Sequence, residues 1–490
     1  MTTSDRDATT VSLDPADWEA DRAVAHRMVD DMFDYLQSVR ERPAWQHVPD
    51  EVRAALDENL PREGTPLAQV YDEFRERVLP YPTGNLHPRF FGWVMGNGTV
   101  TGMLGEMLMA GMNAHGAGYD QSALYVEQQV IRWLAQLVGY PQDASGILVS
   151  GGTMANLNGL AVARNEKAGF ALRTEGLQSS EAPRFTCYGG SETHSWIYKA
   201  CELMGLGRQA FRSVPASEDY TVDVAALRAM IEADIAAGDK PFCIIGTVGT
   251  VNTGAVDDIA ALRTLADEFD CWLHVDGAFG SLAAWSERHR HLVEAQAQAD
   301  SIAFDLHKWG YMPYEIGCVL TRSSDAQDKT YGTSASYLMP AMRGVGVNNT
   351  YFADRGIQLS RSFRALKAWM SMKQQGVDRI GAVIGQNIEQ AQYLSAKVDA
   401  HPDLERLAPT SLNIVCFRHL ADGYDEDALD RLNEELLMRV QESGFAVPSQ
   451  TLLGGRFALR VCITNHRTTY ADLDALIDEI SRHARAIIDD

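Results

Sequence analysis

Residues 301–320 read SIAFDLHKWGYMPYEIGCVL. Two short β-rich runs, SIAFD (301–305) and IGCVLT (316–321), flank a turn that carries Asp305, His307 and Lys308 beside Leu306 and Trp309. Continuous apolar strands of this kind fit a sheet buried on both faces. The same signature recurs upstream in GILVS (146–150), FTCYG (185–189), FCIIGTV (242–248) and CWLHV (271–275). Helical periodicity lies between these runs, near 153–168, 193–205, 222–237 and 258–269. The alternation predicts an α/β fold built on a mostly parallel sheet.

A long helical pattern runs from about 352 to 375. After Gly376 the order is helix, strand (412–418), helix (425–442), strand (457–464) and helix (470–488), which predicts a smaller α+β domain. Residues 1–16 read as frayed. From Trp18 to about Val39, Ala23, Val24, Met28, Met32, Tyr35 and Leu36 share one helical stripe. That stripe fits an arm packing on another surface, such as a partner subunit, and equally a helix resting on its own domain. The expected division is an arm over 1–85, a large domain over 86–375 and a small domain over 376–490.

The 490 residues are 46% hydrophobic and 22% charged, a globular composition with room for more than one domain. A formal charge of -23 repels nucleic acid and anionic membranes, so neither is expected as a partner. Seven scattered cysteines without a CxxC argue against a disulfide framework and for a reducing compartment. The acidic N-terminus reads as no signal peptide, and no apolar run approaches the roughly 18 residues that span a bilayer. A cytoplasmic protein is the expectation.

Ligands of an open α/β sheet gather at the carboxyl ends of its strands. Strand 146–150 runs into Ser150-Gly151-Gly152-Thr153 and a helix. Open amides at such a turn fit a phosphate cradle, and also an ordinary tight turn. Strand 271–275 ends in Asp276-Gly277-Ala278, where a rim carboxylate needs a cationic partner or a helix to cap. Lys308, between His307 and Trp309, is expected to be partly desolvated, which lowers its pKa and frees the amine for Schiff-base chemistry. Taken singly, a surface lysine is the commoner reading. His194 opens the helix after strand 185–189, with Thr193 or Ser195 as its cap; alone it is more often structural.

Together these residues form a constellation that pyridoxal 5'-phosphate (PLP) requires. The phosphate needs amides and a helix N-terminus, the pyridine nitrogen a carboxylate, and the aldehyde a lysine. The ring needs a flat group on one face, and the small Ala278 leaves room on the other. Rival motifs fail their context. Gly205-Leu206-Gly207-Arg208-Gln209-Ala210 follows a helix instead of a strand, so it is no dinucleotide fingerprint. His289 and His291 lack zinc-site spacing, and no metal is expected. Gly96-Asn97-Gly98 lacks the Gly-Lys of a Walker loop.

At this point the sequence resembles the group II PLP-dependent amino-acid decarboxylases. The likeness runs from HPRFFG (87–92) through SGGTMANL (150–157), HSWIYKA (194–200), GTVNTGAVDD (249–258) and HVDGAFG (274–280). It continues through the lysine segment and LSRSFRALKAW (359–369) to FALRVCITNHRTT (457–469). The resemblance implies fold type I of PLP enzymes, with an N-terminal helical arm, a large seven-stranded domain and a small C-terminal domain. It also implies a homodimer with active sites at the subunit interface. Lys308 then carries the cofactor, Asp276 pairs with the pyridinium, His194 stacks on the ring and Ala278 lies beneath it. Gly152 and Thr153 hold the phosphate, with His307 close by. Tyr337, followed by Leu338, falls where the family's mobile loop carries a tyrosine that protonates the substrate carbon after carbon dioxide leaves.

Trp93, Val94 and Met95 stand where the family lines its side-chain pocket, which implies an aromatic or large hydrophobic amino acid as substrate. The expected reaction is decarboxylation of an L-amino acid to the amine. Alternatives on the same fold are an aldehyde-forming decarboxylase, a carbon–carbon lyase, or an aminotransferase in which Arg460 anchors the α-carboxylate. Outside catalysis, the alternative is a degenerate member kept as an interaction protein, which predicts loss of one or more of these contacts.

Overall fold

The computed structural model describes residues 11–180, 182–333, 343–347 and 350–489. Tyr337 lies outside them. Helix α1 (Trp18–Gln37) starts at Asp17, whose side chain accepts the amides of Glu19 and Ala20. It buries only Tyr35, while Trp18 and Phe33 stay exposed. Two helices then lead into the sheet, α2 (Val100–Met112) and α3 (Ser122–Leu137). Thr99 caps α2 through the Gly102 amide, and Asn113 ends it in the left-handed conformation.

The sheet comprises β1 (Ser145–Val149), β2 (Phe185–Gly190), β3 (Phe211–Val214), β4 (Lys240–Thr247), β5 (Trp272–Asp276), β6 (Ser301–Asp305) and β7 (Gly317–Thr321). Its spatial order is β1-β7-β6-β5-β4-β2-β3. Strand β7 is antiparallel to both β1 and β6, and every other pairing is parallel. One inverted strand between β1 and β6 leaves those two pointing the same way. The carboxyl ends of β1, β4, β5 and β6 therefore open on one edge. Covering helices α4 (Gly152–Lys167), α5 (Trp196–Leu203), α6 (Val224–Ala236) and α7 (Ile259–Glu268) connect the strands. Strands β1, β2, β5, β6 and β7 are buried at every residue, as a sheet covered on both faces requires.

The helical pattern expected from 352 to 375 is broken. A short turn at Phe352–Arg355 and an irregular stretch precede α8 (Ala365–Gln375). The reason lies in Arg361, a fully buried guanidinium that ion-pairs with Glu127 and donates to the carbonyls of Gly116 and Leu148. Satisfying a buried charge on those groups takes precedence over helix propensity.

Helix α9 (Val377–Ala400) leads to a second, antiparallel sheet of β8 (Leu404–Arg406), β9 (Ile414–His419), β10 (Ser449–Leu453) and β11 (Arg456–Cys462), in the order β10-β11-β9-β8. Helices α10 (Glu426–Glu442) and α11 (Tyr470–Asp489) complete this part. Alternation along its strands divides two faces. Val415, Phe417, Leu459 and Val461 pack with Leu394, Leu436 and Leu476 of the helices. Ile414, Cys416, Ala458 and Cys462 join the core of the first sheet instead. The small sheet therefore presents one face toward the edge where the large sheet's strands end. All seven cysteines are free and buried. Among the described residues, no helix is long and apolar enough to cross a membrane.

Candidate active site

Parallel register sets Thr247 opposite Asp276, and Asp276 opposite Ala303 in β6, two residues before Asp305. Gly317 of β7 faces Val149 on one side and Asp305 on the other. These strand ends border a cleft of about 440 Å³. Of the residues singled out from the sequence, Trp93, Val94, Gly152, Thr153, His194, Asp276, Ala278, His307 and Lys308 line it. Met95 does not. It packs instead beside Ala44, Phe90 and Val447, and its carbonyl accepts the Thr464 hydroxyl at 2.9 Å.

Helix α4 starts at Gly152 with no side chain capping it, which leaves first-turn amides facing the cleft. Glycine is required here by close approach. A Cβ on Gly152 would lie 2.8 Å from Asp305 Oδ2, and one on Gly317 would lie 2.7 Å from both Asp305 Oδ1 and the Gly151 Cα. Such a terminus suits an anion.

Asp276 is 3% exposed. Among the described residues no cation pairs with it and it caps no helix. Oδ2 accepts the Trp196 indole N–H at 2.6 Å and Oδ1 the Ala278 amide at 3.2 Å, both neutral donors. Trp196 begins α5, and neither Thr193 nor Ser195 caps that helix. His194 Nδ1 accepts the Trp196 amide at 3.3 Å instead. Burial holds His194 below the ordinary histidine range, with Asp276 opposing.

Lys308 Nζ lies 3.0 Å from Asp305 Oδ2. Burial alone would depress the ammonium, as expected from its flanks. The Asp305 carboxylate outweighs that effect and Asp276 adds to it, so the pKa stands above the ordinary lysine value. The lowered lysine is thus corrected, because its i−3 neighbour is an acid. His307 is held down chiefly by burial. Its Nδ1 accepts the Ile316 amide at 3.1 Å, so Nε2 carries the proton of the neutral ring. Tyr314 lies against that ring, centroids 4.5 Å apart.

The turn is anchored from behind. Asn387 Oδ1 on α9 accepts both the Trp309 indole at 3.1 Å and the Tyr311 phenol at 2.8 Å. Asp305, Trp196 and Glu315 are among the cleft-lining residues that received no role from the sequence. Asp305 was legible as an acid one helical turn before Lys308. Trp196 and Glu315 carried no local signal that sets them in the cleft.

The family model of the pyridoxal-dependent decarboxylase conserved domain matches residues 49–420. The chain belongs to the pyridoxal-dependent decarboxylase family. It is 31% identical to an aromatic-L-amino-acid decarboxylase of Bacillus atrophaeus, over 95% of this chain and 96% of that one. It is 30% identical to a phenylacetaldehyde synthase of Arabidopsis thaliana, over 92% and 93%. The solved structure of Oryza sativa TDC with PLP and tryptamine superposes with a TM-score of 0.89 at 27% identity, covering 97% of this chain and all of that one. This decarboxylase therefore has the fold type I architecture expected of it, uses PLP, and is a carboxy-lyase acting on an amino acid. The donor set in the cleft fits the cofactor. The uncapped glycine turn suits a phosphate, and Asp276 is a buried carboxylate that no cation pairs among the described residues. Lys308 is the amine beside them.

Proposed function

We propose that this decarboxylase converts an L-amino acid with an aromatic or large hydrophobic side chain to its amine and carbon dioxide. The observation that carries this reading is that Trp93 and Val94 line the same cleft as Lys308 and Asp276. Likeness to the Bacillus atrophaeus enzyme supports the same side-chain class. Bound PLP supplies the electron sink that takes up the pair left when the carboxylate departs.

The chain's own residues have distinct tasks in this reading. Lys308 would hold the cofactor through its amine. Asp276 keeps a proton on the pyridine nitrogen, and the Trp196 indole fixes the direction of that carboxylate. His194 would cover one ring face and Ala278 would leave space on the other. Gly152 and Thr153 bind the phosphate through the start of α4, and His307 supports it through its Nε2–H. Tyr337 delivers the proton to the substrate carbon. The working unit is a homodimer, with the arm over 1–85 contributing contacts, PLP-binding residues in 86–375 and the small domain in 376–490. The compartment is the cytoplasm.

Amine and carbon dioxide measured in parallel across the common amino acids test this reading. Aromatic or large apolar substrates should lead, with one amine per carbon dioxide. Keto-acid without carbon dioxide would remove it. A second reading, aldehyde formation, has support from the phenylacetaldehyde synthase likeness. Aldehyde with hydrogen peroxide in place of amine would establish it.

A further inference from the structure

Arg460 was the residue that gave an aminotransferase reading its carboxylate anchor. It is 3% exposed and does not line the cleft. Its Nη1 donates to the Trp93 carbonyl at 2.8 Å and to Ser449 Oγ at 3.1 Å, and its Nε donates to the Asn252 carbonyl at 3.1 Å. Ser449 stands directly opposite Arg460 in the β10–β11 ladder and accepts the Trp93 amide at 3.2 Å. Both backbone groups of Trp93 are thus held by one cross-strand pair of the small sheet.

Trp93 needs holding. Its φ is +50°, a left-handed conformation that costs a bulky residue on the order of 1–3 kcal/mol. Such strain persists only where surrounding contacts dictate it. Trp93 is 52% exposed and lines the cleft. The neighbouring chain is pinned as well, with the Phe91 amide on the Val447 carbonyl and the Cys462 amide on the Phe91 carbonyl.

We propose that Arg460 is a positioning residue for substrate selection: together with Ser449 it clamps the Trp93 backbone from behind, so that the indole stands as the wall of the side-chain pocket. The proposal rests on the reading of Trp93 as that wall. It assigns Arg460 no contact with the substrate carboxylate. The two roles separate by chemistry, because the amine product lacks a carboxylate and keeps the side chain.

The test uses the PLP-loaded enzyme with L-tryptophan as substrate and tryptamine as competing ligand, in wild type, Arg460→Lys and Ser449→Ala. The clamp predicts that KM for L-tryptophan and the inhibition constant of tryptamine rise together. The expected factor is roughly ten in Arg460→Lys, the scale of one lost charge-assisted hydrogen bond, and less in Ser449→Ala. kcat should stay within about twofold. In a Trp93→Ala background Arg460→Lys should add nothing. A rise for L-tryptophan with tryptamine unchanged makes Arg460 an anchor and overturns the proposal, as does no rise in either.

Amide hydrogen exchange over residues 90–96 judges the clamp without any substrate. It should quicken in both variants, and unchanged exchange sinks the clamp. If wild type binds neither L-tryptophan nor tryptamine, the aromatic reading falls while the exchange result still decides the clamp.

Discussion

The Lys308 ammonium and the Asp305 carboxylate form an ion pair of 3.0 Å within a single turn, and the second oxygen of that carboxylate is buried with no hydrogen-bond partner among the described residues. Asp305 also fills the space between Gly152 and Gly317. The acid therefore does two things at once. It holds a proton on the amine, and it borders the cradle where an anion would sit.

Replacing Asp305 with Asn removes the charge that lifts Lys308. An amine reacts with an aldehyde only when deprotonated, so the rate of cofactor loading rises as pH climbs through the lysine pKa. With that pKa lowered, the loading profile of Asp305→Asn should move to lower pH. Stopped-flow absorbance of PLP added to apo-protein across a pH series reads this directly. A profile at or above the wild-type pH would show that Asp305 does not govern the amine.

Gly152→Ala sets a methyl against Asp305 Oδ2 at the mouth of the cradle. Overpacking of this kind costs about 1–3 kcal/mol. Here it should appear as PLP binding weaker by roughly 5- to 150-fold, since 1.4 kcal/mol corresponds to a factor of ten. Equilibrium titration of apo-protein with PLP checks it, and wild-type affinity in the variant would exclude this turn as the phosphate site.

Trp196→Phe keeps a ring of similar breadth but deletes the indole N–H that reaches Asp276 at 2.6 Å. A hydrogen bond to a charged acceptor contributes about 1.5–3 kcal/mol. Urea unfolding of the apo-protein should show a loss in that range, and the loaded enzyme should lose turnover because the carboxylate is no longer aimed. Unchanged stability together with unchanged turnover would release Trp196 from both roles.

Tyr337→Phe removes the phenol assigned to proton delivery. Product should shift from amine toward aldehyde, with oxygen consumed and hydrogen peroxide formed. Chromatography of products beside an oxygen electrode gives the answer. Amine alone, formed at the wild-type rate, would assign the proton to another group.

Burial holds His87, His274 and His466 at about 4, well below the ordinary value of 6.5. His274 is closed between Asn156 Oδ1 and Ser301 Oγ. These rings stay neutral in the folded protein while the unfolded chain takes up protons below about pH 6.5. Their contribution is intact above that pH and is lost as pH falls toward 4, by up to about 1.4 kcal/mol per unit for each ring. Thermal melts from pH 7 to 4.5 should show a steady fall in Tm. A flat profile over that range would contradict the buried neutral state.

Much of the large sheet could be read from the chain because its strands are buried on both faces and so appear as unbroken apolar runs. Strand β3, FRSV, escaped because an edge strand of four residues with two polar members has no such run. Strand β10 escaped for a similar reason, although Gly454-Gly455 before β11 is a usable hairpin signal. The cleft was legible wherever a residue type announced its chemistry at a strand end, as Asp276 and Lys308 do. What the sequence could not convey was pairing between distant segments. Asp276 meets an indole 80 positions away, and Arg460 meets the Trp93 carbonyl 367 positions away. Local pattern carries no trace of either.

The single amide oxygen of Asn387, shared by Trp309 and Tyr311, joins the lysine turn to helix α9, whose Leu394 and Val398 belong to the core of the small sheet. The lysine turn is therefore tied to a helix that also packs on the second sheet. Moving that helix away from the large sheet would cost both hydrogen bonds at Asn387, and so would loosen the turn that presents the reactive amine.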